Sequence, residues 1–382
     1  MGAAVAVAAL AAWSALTTGT ETGAAALPTP EERARATAER MAEHDIVDLP
    51  VTFTVTNDND SRLPCNSDGG AYTLHGHLTA PRAVLTADGP AVTLYQHGQA
   101  AGEWFWRLDE QGAHHTEGMA LLGQASLTLD RLGYGASERP DGMAMCLGGQ
   151  AAMTSQVIAA LRTGDYGVAD TPDDPDLAQA PPAFDRVVLA GHHNGAQIAQ
   201  ITAYSYDGAA APDALVLMGW SGIGLTDRAN ARFFGGLASC MQGGVPAATG
   251  TGPPENVPGQ DAGYAYVDVG SANFRESAFH TPESEVALLA ASLQNRTPCG
   301  DLGTQVEAVV TDTRNLHGID LPVFFAFGEA DSRVADVAQH AEGFTGAPET
   351  HMVSLPDSGH YFVMEPAGER LRAELADWLE AR

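Results

Sequence analysis

The 382 residues carry 48 acidic and 19 basic side chains, for a formal net charge of −29, and every basic one is arginine. A surface field of that sign repels nucleic acid and anionic membranes and excludes both as partners. With 45% hydrophobic and 18% charged residues the chain is neither disordered nor fibrous, and its length suffices for one large α/β domain or a core with an inserted cap. Arginine without lysine, with abundant Ala, Gly and Asp, resembles the composition of a high-GC bacterial proteome, such as an actinomycete's, with a halophile as the rival source.

Residues 3–16 are almost entirely Ala, Val, Leu and Trp, and a small-residue tract follows over Thr17–Ala26. Residues 1–26 therefore read as a signal-like apolar segment without the usual basic start; an Ala-rich amphipathic helix is the other reading. The run is short for a membrane span, so no stable membrane insertion of the mature protein is expected. The expected location is secreted or otherwise exported, with the cytoplasm as the alternative.

Glu31–Ala42 reads as a charged helix with Pro30 at its first turn. Val51–Thr56 and Ala71–Ala80 alternate as an antiparallel opening hairpin would. From Ala91 onward the pattern changes to short runs that are apolar on both faces. These are Ala91–Tyr95, Ala125–Leu129, Arg186–Ala190, Ala214–Met218, Leu321–Phe327 and Met352–Leu355. Helical stretches separate them, at roughly Gln150–Arg162, Gly195–Tyr204 and Gly368–Ala381. Such runs predict a mainly parallel sheet covered by helices on both faces, the α/β class.

About a hundred residues between Met218 and Leu321 are not needed by that sheet. They are rich in Gly and Pro (Gly243-Gly244-Val245-Pro246, Thr251–Pro258), with a helical pattern at Pro282–Gln294. A structureless loop of that length is improbable in a compact domain, so residues 223–318 read as a lid inserted between core segments 27–222 and 319–382. Four cysteines form an even set that suits two disulfides in an exported protein. Cys240 and Cys299 both lie in the insertion and are expected to pair, which leaves Cys65 for Cys146. Asn59-Asp60-Ser61 and Asn295-Arg296-Thr297 are formal glycosylation sequons.

At Gly191-His192-His193-Asn194-Gly195 a buried strand enters a tight turn and then a helix. Here the chain resembles the α/β-hydrolase superfamily of lid-bearing esterases and lipases, over most of residues 45–382. Four further motifs follow the family's order. His97-Gly98-Gln99 is similar to the oxyanion loop, and Asp130-Arg131-Leu132-Gly133-Tyr134-Gly135-Ala136-Ser137 to a structural D-x-x-G-x-G-x-S segment. Gly328-Glu329-Ala330-Asp331 matches the position of the triad acid, and Ser358-Gly359-His360 the catalytic histidine loop. The resemblance implies His193, Asp331 and His360 as the catalytic set, with the backbone N–H groups of Gln99 and Asn194 as oxyanion donors. Glu329 and Asp357 are the other acids that could orient His360. His97 and His192 read as packing residues. Trp104-Phe105-Trp106 reads either as an apolar wall for a small-molecule substrate or as packing under the lid.

The departure from the family is His193, which stands where serine, cysteine or aspartate is usual. Serine and histidine codons differ by more than one base, so a single slip does not exchange them. Four readings follow. The chain is an esterase-like hydrolase with an altered nucleophile; or His193 is itself the nucleophile and forms an acyl-imidazole; or two imidazoles run a lyase, isomerase or cyclase step; or the chain is a ligand-binding pseudoenzyme. No cofactor is implied. A metal on His193, His360 and Asp331 is disfavoured because the acid is needed to orient His360.

Overall fold

A computed structural model describes residues 28–169, 175–244 and 263–382. The signal-like segment 1–26 and the Gly/Pro stretch from Pro246 to Pro258 lie outside them.

The opening hairpin pairs β1 (Ile46–Thr56) antiparallel with β2 (Ala71–Pro81), Leu49 opposite Leu78. Then come β3 (Ala91–Gln96), β4 (Ser126–Leu129), β5 (Gly167–Val168), β6 (Arg186–His192) and β7 (Ala214–Met218). After two-residue strands β8 (Tyr264–Ala265) and β9 (Thr297–Pro298), β10 (Val323–Gly328) and β11 (Thr350–Leu355) close the series. One nine-stranded sheet results, in the order β11-β10-β7-β6-β3-β4-β2-β1-β5, parallel from β11 to β4 and antiparallel at the hairpin edge. All six apolar runs predicted from sequence are strands of this sheet.

Side-chain alternation in the central strands builds two cores. Val187 and Leu189 of β6 and Leu215 of β7 pack under the helices Leu147–Thr163 and Asn194–Ser205. Val188 and Ala190, with Val216 and Phe324, face the closing helix Gly368–Glu380. Both faces are buried, which is why these strands read as continuous apolar runs.

Residues 223–318 connect β7 to β10 and carry the helices Asp227–Cys240, Ser271–Ala278, Glu285–Ser292 and Cys299–Asn315. Among the described residues of this stretch, the apolar side chains do not form a core of their own. Phe274, Ala287 and Leu302 belong to the cluster of Ala190 and Phe324, while Ala308 joins the cluster on the other face. The insertion is thus packed into the body of the fold.

Two disulfides, Cys65–Cys146 and Cys240–Cys299, pair the cysteines as the insertion suggested, with Cα separations of 6.2 and 5.4 Å. Cys240 ends one insertion helix and Cys299 begins another, across a sequence separation of 59. Thiol titration of the unfolded, unreduced chain should find almost no free cysteine. Replacing Cys240 and Cys299 together by alanine should lower the unfolding free energy by about 4 kcal/mol, the loop-entropy value for a bridge of that span. Denaturant titration of the double variant measures it.

Candidate active site

His193 alone joins β6 to the helix Asn194–Ser205, at φ 54°, ψ −125°. The turn has no room beside it. A Cβ on Gly191 would lie 2.3 Å from the backbone of Gly195, and one on Gly195 would lie 2.2 Å from the carbonyl oxygen of Gln96. The His193 amide donates to the carbonyl of Met218 (2.9 Å), and its own carbonyl accepts from the amide of Ala196 (3.0 Å). A non-glycine residue at positive φ costs of order 1–3 kcal/mol and persists because these neighbours fix it.

The loop His97–Gln99 packs directly on this turn: a Cβ on Gly98 would sit 2.8 Å from that of His193. Oε1 of Gln99 lies 3.4 Å from Nε2 of His193, while its amide nitrogen donates to Oε1 of Gln305 at 2.9 Å. The proton of His193 therefore sits on Nε2 and the lone pair on Nδ1, which is buried without a partner. On the facing side, Nδ1 of His360 donates to Oδ2 of Asp331 (2.8 Å), leaving the lone pair on Nε2, also buried and unpartnered. Oδ1 of Asp331 accepts from the amides of Arg333 (2.8 Å) and Val334 (3.2 Å). Glu329 and Asp357 make no contact with His360; Glu329 accepts instead from Ser354.

The rings of His193 and His360 stand 5.0 Å apart, nearly perpendicular at 87°. Burial holds both imidazoles well below their ordinary pKa, helped by His360, Arg232 and Arg333 around His193, and by His192, Arg333 and Arg232 around His360. Burial also pushes Asp331 up to about 6 against its backbone hydrogen bonds. The two guanidiniums belong to a buried cluster: Arg232 grips the carboxylate of Asp268, which also holds Arg333, and Ser277 accepts from Arg333 at 2.6 Å. Around the elbow the backbone N–H groups of Gln99 and Asn194 donate to no described atom. The centre is closed, with His193 and Gln99 3% exposed and His360 0%.

His97 and His192 are packing residues. His97 donates to the carbonyl of Gly98 and accepts the amide of Arg131; His192 donates to the carbonyl of His360 and stacks on Phe105 at 4.4 Å. Of the two readings of Trp104-Phe105-Trp106, packing describes Phe105 and Trp106. The one-turn helix Glu103–Phe105 sends its side chains in different directions. Trp106 is fully buried against Tyr95 (4.8 Å) and His115 (5.4 Å), and Phe105 is buried behind His192. Trp104 alone stays partly exposed, 6.4 Å from Tyr361. Sequence reasoning missed Trp220, whose ring lies 5.9 Å from His193, and Gln305 and Arg333. Trp220 was findable: it stands just past the carboxyl end of β7, where open α/β sheets place their ligands.

No protein-family model and no curated protein matches the sequence. Solved structures do. The chain is similar to a thermophilic esterase from Thermogutta terrifontis, with a TM-score of 0.54 at 14% identity over 86% of this chain and 98% of that one. A hydrolase from Pseudomonas aeruginosa PA01 gives 0.55 at 17% identity over 84% and 99%. The enol-lactonase from Burkholderia xenovorans LB400 gives 0.53 at 14% over 81% and 97%. This chain has the α/β-hydrolase fold. Among the described residues no helix is long and apolar enough to cross a membrane.

Burying neutral imidazoles makes an α/β-hydrolase fold of this kind acid-sensitive. Seven histidines (97, 114, 115, 192, 193, 340 and 360) have folded pKa values below the unfolded one, so unfolding takes up protons once the pH drops below about 6.5. Five buried acids (Asp130, Asp301, Asp312, Asp331, Glu365) are raised and oppose this, since the folded state protonates them first. The lowered histidines outnumber the raised acids, so the net effect of acidification is proton uptake on unfolding and loss of stability. Thermal unfolding should therefore move to lower temperature from pH 7 to pH 5; a constant or rising Tm over that interval would contradict this balance.

Proposed function

We propose that the chain hydrolyses carboxylic esters of small, largely apolar molecules, with His193 as nucleophile in place of serine. The observation that carries this is the pair of buried, unpartnered lone pairs, on Nδ1 of His193 and Nε2 of His360, beside two unpaired backbone N–H groups. Nδ1 of His193 attacks the carbonyl carbon, and the N–H groups of Gln99 and Asn194 receive the developing oxyanion. Collapse expels the leaving group as its anion and leaves an acyl-imidazolium, whose Nε2–H points to Oε1 of Gln99. His360 then takes a proton from a water through Nε2 as the resulting hydroxide bonds to the acyl carbon. Asp331 stabilises the imidazolium, the C–N bond breaks to release neutral His193 and the carboxylic acid, and His360 passes its proton to the anion of the departed alcohol. Neither neutral imidazole protonates a leaving group in the first step, so aryl esters are the favoured class and alkyl esters turn over slowly.

Residues 223–318 act in this reading as a lid. Gln305 on the helix Cys299–Asn315 holds Gln99 over the nucleophile, so substrate entry requires this helix to shift. The two disulfides and the signal-like start suit an exported enzyme.

Comparison of His193→Ser with His193→Ala tests the scaffold. The serine variant should cleave aryl esters faster than the alanine variant by several orders of magnitude, on the order of 10⁴. Wild type should fall between them. If serine were no faster than alanine in a folded protein, the pocket would be built for a non-hydrolytic acid–base reaction or for binding alone.

A further inference from the structure

At the opposite edge of the sheet from the β10–β11 end lies a second histidine pair with no part in the elbow. His75 and His77 are two apart on β2, so their side chains rise from the same face, with about 7 Å between their Cα atoms. Thr52 and Pro50 stand opposite them on β1, and together they line a cavity of about 350 Å³ closed by Gly167–Ala169 and Glu103. Glu103 accepts from Nδ1 of His77 at 2.9 Å and from the Thr128 hydroxyl at 2.7 Å. That bond fixes the tautomer: the lone pair of His77 is on Nε2. The ring of His75 makes no hydrogen bond or ion pair among the described residues.

A histidine whose Nδ1–H is held by a carboxylate, with Nε2 free, is the arrangement in which proteins present imidazole to a metal. The surroundings favour positive charge. Asp48, Glu103 and Asp130 gather about this face against one guanidinium, Arg107, which bonds Asp48 at 2.6 Å and approaches Glu103 at 3.5 Å. No set of three His, Cys, Asp or Glu side chains among the described residues is arranged to hold an ion, so a site here would have two protein ligands.

We propose that His75 and His77 bind one divalent transition-metal ion, Cu²⁺ more tightly than Zn²⁺, with Glu103 as the positioning residue behind His77. The preference follows from imidazole donors and the Irving–Williams order. The site is separate from the elbow, so its existence does not depend on the hydrolase reading.

Calorimetric titration of the full chain, without an affinity tag, against Cu²⁺ and Zn²⁺ at pH 7.5 tests it. One equivalent should bind. His75→Ala and His77→Ala should each weaken binding at least tenfold, Glu103→Gln by about 10–100-fold, and His193→Ala not at all. Electron paramagnetic resonance of the Cu²⁺-loaded wild type needs no substitution and should show two equatorial imidazole nitrogens. No binding, binding undiminished in both β2 variants, loss in His193→Ala, or fewer than two imidazole nitrogens would each overturn the proposal.

Discussion

The site depends on one steric constraint: β6 reverses into its helix through a single residue, with the backbones of Gln96, Gly191 and Gly195 in contact around it. The turn fixes the backbone of whatever residue stands at 193 and projects its side chain toward the His360 loop. Histidine tolerates positive φ better than most residues, so the turn can carry an imidazole. The residue type sets the chemistry. A serine would need its proton removed before attacking, whereas a neutral imidazole already carries a lone pair. The bond from Gln99 to Nε2 decides which nitrogen keeps it.

The second constraint is how firmly the insertion is tied to the core. Gln305 holds Gln99, Asp301 pairs with the fully buried Arg131 at 3.1 Å, and Asp268 joins Arg232 of the insertion to Arg333 beside the acid loop. Arg131 in turn donates to the carbonyl of His97 and the side chain of Asn194. Gln99 and Arg333 are thus bonded directly to described residues of the insertion, and Asn194 of the elbow is reached through Arg131. Buried ion pairs of this kind are weak stabilisers but strongly destabilising when one partner is lost. After burial itself, the guanidiniums of Arg232 and Arg333 disfavour protonation of either resting imidazole, and so help to keep both neutral.

Much of the fold was legible because its rules are local. Continuous apolar runs marked the parallel strands, and the small residues at 191 and 195 marked a tight turn. The bonded pair of Asp331 and His360 followed from the family resemblance, and the cysteine pairing from the position of Cys240 and Cys299 in one insertion. The failures were of direction and distance. Three consecutive aromatics look alike in sequence, yet Trp106 turns into the core while Trp104 stays near the surface. Gln305 lies 206 residues from Gln99, and no local pattern announces such a contact. His75 and His77 were passed over because the alternation of β2 was read for its apolar face alone.

The central claim concerns two lone pairs on neutral imidazoles, and ¹⁵N nuclear magnetic resonance of histidine-labelled protein observes them directly. The account predicts that His193 is neutral and protonated at Nε2, and that His360 is neutral and protonated at Nδ1, both at pH 7 and still at pH 6. A His193 protonated at Nδ1, or carrying both protons at pH 7, would leave no lone pair facing His360 and would contradict it.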